Sequence, residues 1–227
     1  ELRTPMNAVI GYSELISEGM DGPVTARQSE HLARMQSSST HLLALIEELL
    51  GYARLEAGQD LVVPEHVPLL EAIEHTLELI RPLAEKKGLR MRVETPETPV
   101  VLYTDGRKLR QILVNLLANA VKFTENGEVT LIVTIDGVEE AVRIIFEVTD
   151  SGPGIPPGAQ EHIFNAFWQK DPGSALASGG TGLGLPIARQ LARLLGGDVE
   201  LVQSGEGVGS TFVVSLPRRY DVAQQRT

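Results

Sequence analysis

The chain has 227 residues, 42% of them apolar, a formal net charge of −10 at pH 7 and no cysteine. The lack of cysteine excludes a disulfide framework, a thiolate zinc site and thiol catalysis, while the acidic balance argues against a nucleic-acid surface, which needs clustered Lys and Arg. No apolar run approaches the roughly twenty residues that cross a bilayer and no secretory signal leads the chain, so we expect a globular, cytoplasmic piece of a larger protein with no membrane contact of its own.

Residues 1–58 have apolar side chains at helical spacing, which predicts two helices. A stretch of helix breakers at 19–25 separates them and predicts a hairpin turn. Two helices alone cannot bury both apolar faces in water. We therefore predict that the hairpin forms a four-helix bundle in a homodimer, and the alternative on these residues alone is packing against a neighbouring domain of the same chain.

From residue 61 onward short β-branched runs alternate with helical patterns, which predicts an α/β sandwich domain at 61–217 and an α+β protein overall. The two long strands flanking residues 136–140 alternate apolar and polar residues, as in an antiparallel hairpin with one face on a helical layer. Asp105 is the expected N-cap of the helix predicted at 105–122, and 218–227 is expected to be a flexible tail. The predicted strands are 61–67, 89–94, 100–103, 128–135, 142–149, 198–203 and 210–216, and the predicted helices are 68–87, 105–122 and 181–195.

Three polar clusters interrupt this pattern. Asn115 and Asn119 recur at i and i+4 on one otherwise apolar helix, and glycine clusters follow at 150–154 and 180–184. A buried carboxylate at Asp150 can accept the adenine amino proton, an amide oxygen on a helix can ligate Mg²⁺, and glycine backbone can approach phosphate oxygens closely. Each cluster alone is common in turns and packing, but their order together predicts a split ATP site.

At these positions the chain resembles the catalytic half of bacterial sensor histidine kinases. Residues 115–124 are similar to the family's asparagine box, 148–156 to its first glycine box, and 180–185 to its second. Residues 163–168 resemble its phenylalanine box and 209–217 its closing strand. The resemblance implies the ATP-binding fold of the gyrase, chaperone and histidine kinase superfamily.

The first residues carry a second resemblance. The run Glu1-Leu-Arg-Thr-Pro-Met-Asn is similar to the segment that follows the phosphoacceptor histidine in this family, so the acceptor is expected one position before Glu1. None of the five histidines of the chain stands there. Truncation, modification and true absence of the acceptor remain open, although a first residue other than Met favours a fragment. The resemblance implies that Glu1 is the base for the imidazole and that Thr4 positions water for dephosphorylation of the regulator.

The resemblance also implies the nucleotide contacts. Asn119 is expected to ligate Mg²⁺, Thr211 to join Asp150 at the adenine, and Lys122 to complement phosphate charge. Asn115 stands where related gyrase and chaperone ATPases have a Glu that activates water, and an amide cannot accept that proton. The predicted contacts are Asn115, Asn119, Lys122, Asp150, Gly152, Gly154, Ile155, Phe164, Lys170, Gly180, Thr181, Gly182, Leu183, Gly184, Leu185 and Thr211.

Residues 165–180 are rich in Gly, Ser and Ala and are expected to form a mobile lid, with Phe164 and Phe167 anchoring its near end in the core. Lids of this family usually carry Arg or Lys shortly before the second glycine box, whereas here only Lys170 is available. That departure puts the contact with the γ-phosphate in doubt.

Three functions follow as hypotheses. The first is a kinase that uses ATP and Mg²⁺ to phosphorylate a histidine beside Glu1 and passes the phosphoryl group to an Asp of a response regulator receiver domain, under control of an upstream sensor domain. The second is a catalytically silent or phosphatase-biased dimeric scaffold that binds nucleotide. The third, a chaperone- or topoisomerase-type ATPase, is disfavoured by Asn115 and by the helical hairpin.

Overall fold

The structure, a computed structural model, describes residues 3–20, 22–137, 142–169 and 181–221. The chain divides into two compact units, Glu1–Ala57 and Gly58–Thr227. The first unit consists of two long helices, and the second consists of a mixed sheet covered with helices.

The first unit is the predicted helical hairpin, with α1 at Arg3–Ser17 and α2 at Ala26–Glu56. Thr25 begins α2 with a capping box: its hydroxyl accepts from the N–H of Gln28 at 3.3 Å, and its own N–H donates to Gln28 Oε1 at 2.8 Å. These two bonds satisfy backbone donors that a helix start leaves open, so the sharp start of α2 has a local cause.

Within this unit the helices leave much apolar surface uncovered. Leu32 is its only buried large apolar residue among those described. The exposed ones are Val9, Tyr12, Leu15, Ile16, Met20, Met35, Leu42, Leu49 and Leu50. Large exposed apolar patches are uncommon on soluble monomers. Of the helices in the described ranges, none has the length and apolar run that crossing a membrane requires.

The second unit contains two sheets. Strands β1 at Glu65–Pro68 and β3 at Val101–Thr104 form an antiparallel pair. The larger sheet has five strands, β2 at Arg90–Glu94, β4 at Glu128–Asp136, β5 at Arg143–Asp150, β6 at Asp198–Gly205 and β7 at Gly209–Pro217. Their spatial order is β2-β4-β5-β7-β6, and only the β2–β4 pair is parallel.

Helices cover one face of the five-stranded sheet, as the alternating pattern predicts. They are α3 at Leu69–Lys86, α4 at Gly106–Phe123 and α6 at Gly184–Leu194, while the single turn α5 at Pro157–Gln160 stands between β5 and α6 in the chain. The alternate residues of β5, Ile144, Phe146 and Val148, are fully buried. Burying side chains of this size stabilises the fold by about 1.5–3 kcal/mol each, and the same alternation brings Asp150 to the edge of this core.

The start of α4 is fixed by a buried acid. Asp105 caps the helix as predicted, since one carboxylate oxygen accepts from the N–H groups of Arg107 and Lys108 at 3.1 and 3.2 Å. Its other oxygen accepts from the N–H of Val63 at 3.1 Å. The predicted strand at 61–67 therefore begins later, at Glu65, because the N–H of Val63 is taken by Asp105 and Pro64 has no N–H for a ladder.

The expected flexible tail does not begin at Arg218. The N–H of Arg218 donates to the carbonyl of Val142 at 2.9 Å, and its carbonyl accepts from the N–H of Tyr103 at 2.8 Å. The N–H of Tyr220 then donates to the carbonyl of Tyr103 at 2.7 Å, and the Tyr220 side chain is buried. Residues 218–220 thus form a strap that joins β3 to the start of β5, and 222–227 lie outside the described residues.

Candidate functional site

Asp150 ends β5 at the rim of the core. Its side chain is buried, and one carboxylate oxygen accepts from the N–H of Gly152 at 2.8 Å. Burial raises the pKa of this carboxyl above its ordinary value, and the backbone N–H groups of Gly152 and Ser210 oppose part of that rise. A carboxylate held in this way is oriented by the backbone on both sides and can accept a hydrogen bond from a ligand amino group.

The first glycine cluster interlocks with the turn between β6 and β7. Gly154 has φ of 72°, and a Cβ there would lie 1.9 Å from the carbonyl oxygen of Gly205. Gly209 has φ of 92°, and a Cβ there would lie 1.9 Å from the carbonyl oxygen of Asp150. The N–H of Gly207 also donates to the carbonyl of Pro153 at 2.8 Å. Only glycine fits at these two backbone approaches.

Thr211 lies on the other face of the sheet from Asp150. Its hydroxyl oxygen is 3.1 Å from that of Thr149, directly across β5 and β7. The register pairs Asp150 with Ser210, and side chains alternate faces along a strand. The expected pairing of Thr211 with Asp150 is therefore wrong, and Ser210 is the residue opposite the carboxylate.

The asparagine helix meets the second glycine cluster. Asn115 donates from Nδ2 to the carbonyl of Gly184 at 3.1 Å. Asn119 lies one turn later, where a Cβ on Gly184 would be 3.5 Å from its Nδ2. Both amides are half-buried. Lys122 follows at the end of α4 with its Nζ 4.9 Å from the ring centroid of Phe123.

Lys87 holds the far end of this helix. Its Nζ donates to the carbonyls of Val121, Lys122 and Thr124 at 2.9, 2.5 and 3.1 Å. A cation here satisfies carbonyls that the end of a helix leaves open and complements its dipole. Lys87 was not predicted from the sequence, because nothing near a lysine that follows an amphipathic helix indicates that it will bind carbonyls at the end of α4.

The second glycine cluster begins α6. Thr181 accepts from the N–H of Leu183 at 3.1 Å, and Leu183 is buried. The predicted start at Thr181 is therefore three residues too early. The helix begins at Gly184, because residues 181–183 form a loop that this hydroxyl holds. Gly182 and Leu185 are half-buried beside it. The start of α6 presents backbone N–H groups and the positive end of the helix dipole, which suit phosphate oxygens.

The two phenylalanines expected to anchor the lid differ. The ring of Phe164 packs edge-on against Phe212 at 6.4 Å and lies 4.5 Å from the guanidinium of Arg189, which also binds Asp198 at 3.0 Å. Phe167 is instead 58% exposed, with φ of 64°. Phe164 is thus a packing anchor, and the expectation of a buried Phe167 is wrong because its backbone turns the ring outward.

The remaining predicted residues are distributed as follows. Ile155 donates its N–H to Ser204 Oγ at 2.8 Å, beside the first glycine cluster. Thr4 is exposed on α1. Glu1, Lys170 and Gly180 lie outside the described residues, as does most of the expected lid at 165–180. In the described ranges no three His, Cys, Asp or Glu residues form a metal cluster.

Family models match both units. Residues 104–220 match the family described as histidine kinase-, DNA gyrase B-, and HSP90-like ATPase, and residues 1–58 match the His Kinase A (phospho-acceptor) domain. The first match covers α4, both glycine clusters and the strap, which are the segments that build the site.

Individual proteins agree. The chain is 38% identical over 222 residues to the circadian input-output histidine kinase CikA of Synechococcus elongatus. The aligned residues make up 96% of this chain and 29% of CikA. It is 36% identical over 214 residues to the signal transduction histidine-protein kinase BarA of Escherichia coli, and the aligned residues make up 93% of this chain and 23% of BarA. The crystal structure of full-length ShkA in complex with AMPPNP superposes with a TM-score of 0.82 at 34% identity, covering 96% of this chain and 44% of that one. The chain therefore spans less than a third of these curated relatives.

Proposed function

The chain belongs to the sensor histidine kinases of two-component systems, and from that membership we propose that it uses ATP to phosphorylate a histidine standing directly before Glu1 and relays the phosphoryl group to an Asp of a response regulator. The γ-phosphorus bonds to an imidazole nitrogen, the bond to the β,γ-bridging oxygen breaks, and ADP leaves. Glu1 accepts the proton of the other imidazole nitrogen.

The observation that carries this proposal is the junction of α4 with the second glycine cluster. The bond from Asn115 to the carbonyl of Gly184 ties the asparagine helix to the start of α6, while Asp150 lies at the end of β5 with its carboxylate oriented by backbone N–H groups. An adenine acceptor, a glycine loop and a helix start together fit a nucleoside triphosphate.

The residues also fit Mg²⁺. Asn119 offers a neutral amide oxygen, which suits a hard cation whose charge the phosphates already balance. Mg²⁺ supplies charge neutralisation at the phosphates. The chain's own part is to orient the nucleotide, through Asn119 and the start of α6, and to leave the γ-phosphate to a side-chain nucleophile.

Asn115 supports a kinase over a hydrolytic ATPase. Its amide donates to the Gly184 carbonyl, so the side chain at this position is a donor and cannot act as a base. A Glu at 115 would set a carboxylate against that carbonyl. We therefore propose slow ATP hydrolysis in the absence of an acceptor.

The decisive test uses γ-labelled ATP with the protein carrying a histidine directly before Glu1. We expect an acid-labile, base-stable phosphoryl label, and Glu1→Gln should slow labelling without weakening ATP binding because it removes only the base. The matched control places Gln before Glu1 and should not label. A protein that binds ATP and dimerises yet never labels would contradict the kinase and favour the scaffold.

The hairpin's exposed apolar residues support a homodimer through residues 1–58. Leu42, Leu49 and Leu50 lie uncovered on α2, and a second hairpin would bury them in a four-helix bundle. We expect the full chain to be a dimer by light scattering and a fragment beginning at Leu61 to be a monomer that still binds ATP. A full chain that stays monomeric at the same concentration as the fragment would refute the bundle.

The remaining parts of the proposal concern context. A receiver domain is the partner of the phosphorylated bundle, Thr4 positions water when the bundle dephosphorylates that partner, and an upstream sensor domain in the same polypeptide controls both reactions. The second unit, Gly58–Thr227, works in the cytoplasm, where ATP and Mg²⁺ are available.

A further inference from the structure

Ser204 stands at a junction of three backbone segments near the adenine site. Its hydroxyl in β6 accepts from the N–H of Ile155 at 2.8 Å, lies 3.1 Å from the carbonyl oxygen of Gly209, and lies 3.0 Å from the hydroxyl oxygen of Ser210. A serine hydroxyl has one proton and two acceptor positions. Donation to Gly209 and acceptance from Ile155 and Ser210 satisfy all three contacts.

Gln160 completes the hold on Ile155. Its Nε2 donates to the carbonyl of Ile155 at 2.9 Å and lies 3.4 Å from the carbonyl of Ser204. Both polar groups of the Ile155 backbone are therefore bound by side chains, one from β6 and one from α5. The loop after Asp150 has no strand ladder of its own, so these two side chains, together with the bond from the Gly207 N–H to the Pro153 carbonyl, hold its position.

The junction connects directly to Asp150. Ser210 pairs with Ser204 on one side and with Asp150 on the other, and its N–H donates to the Asp150 carboxylate. A continuous path runs from Ile155 through Ser204 and Ser210 to the carboxylate. Loss of the Ser204 hydroxyl would remove one hydrogen bond from the loop at Ile155 and one from β7 at Ser210, which lie on either side of the Asp150 carboxylate.

We propose that Ser204, assisted by Gln160, is a positioning residue that sets the shape of the adenine site for ATP. The proposal rests on the proposed function, because it assumes that Asp150 and the first glycine cluster bind adenine. Ser204 acts at the base end of the nucleotide, so its effect should be the same for every adenine nucleotide and independent of the γ-phosphate.

The test compares Ser204→Ala with Ser215→Ala. Ser215 is a matched control, since its hydroxyl accepts from Arg143 Nε at 2.6 Å at the other end of β7. Without the Ser204 hydroxyl the Ile155 loop is no longer held in place, and ATP or ADP must order it on binding, so by calorimetry we expect Ser204→Ala to weaken both nucleotides by the same factor, about tenfold. Ser215→Ala should lower Tm but leave both affinities within about twofold.

Two further variants sharpen the test. Ser204→Thr keeps the hydroxyl and should restore affinity, and Gln160→Glu removes the donor to Ile155 while keeping its size, so it should weaken ATP and ADP equally. Gln160→Glu carries the test if Ser204→Ala does not fold. A pure stability role would lower Tm in all variants and leave the affinities unchanged.

The outcomes separate the two proposals. If the parent protein binds ATP but Ser204→Ala and Gln160→Glu bind it equally well, or lose ATP while keeping ADP, this inference is overturned and the proposed function stands. If the parent protein binds no ATP, the proposed function fails and this inference fails with it.

Discussion

Replacing Asp150 by Asn is expected to weaken ATP binding by about 100-fold or more, because it removes the charged group proposed to accept a hydrogen bond from the adenine amino group and offers an amide donor in its place. The side chain is buried at the end of β5, so water cannot replace the lost partner. Calorimetry on the parent and variant measures the effect.

The same carboxyl makes binding depend on pH. Burial raises the pKa of Asp150, and adenine requires the ionised form, so affinity should be full above the raised pKa and fall as pH drops through it. The fall begins at higher pH than an ordinary Asp, of pKa about 3.9, would give. The free protein responds oppositely: a raised folded pKa means that ionised Asp150 costs stability at neutral pH, and this cost disappears on acidification.

Asp136→Asn is the matched control. Asp136 is exposed at the opposite end of the β4–β5 pair, and its loss should change neither the affinity nor its pH dependence. Equal ATP binding by Asp150→Asn and the parent would remove Asp150 from the adenine site.

Replacing Asn119 by Ala is expected to reduce Mg²⁺-dependent labelling by more than about 100-fold while the fold is kept, because the variant lacks the amide oxygen proposed to hold the cation. Affinity for ATP should lose its dependence on Mg²⁺, and affinity measured with EDTA should change little. Labelling of the histidine-bearing protein and calorimetry with and without Mg²⁺ report the two effects.

Asn126→Ala provides the comparison, since Asn126 is exposed in the loop before β4. Its labelling rate should match that of the parent. Labelling by Asn119→Ala at the parent rate would exclude Asn119 as a metal ligand, and a large drop in Tm would point to a packing role against Gly184.

The sequence predicted those features whose causes are local. Asp105 precedes an amphipathic run and caps α4 through residues two and three positions away. The strands β4 and β5 follow from their own alternation and lie within one residue of their predicted ranges. Helix periods and caps are written within a few neighbouring residues, so one chain suffices to find them.

Long-range register was not predictable in the same way. Whether Thr211 or Ser210 faces Asp150 depends on how β5 pairs with β7, and a slip of one residue exchanges the two faces. Ser204 and Lys87 act on partners far along the chain, and neither has a local signature. The motifs predict where the nucleotide binds, but strand pairing decides which side chains lie beside Asp150.

The strap at 218–220 has a consequence for the order of folding during synthesis. Its contacts join segments far apart in the chain: Arg218 Nε also reaches the carbonyl of Val101, 117 residues earlier. Within the second unit, β3 and β5 lack their final partner until Tyr220 has emerged from the ribosome. A nascent chain stalled before that point should be sensitive to protease in its second unit, and resistance should appear abruptly once Tyr220 is outside the exit tunnel.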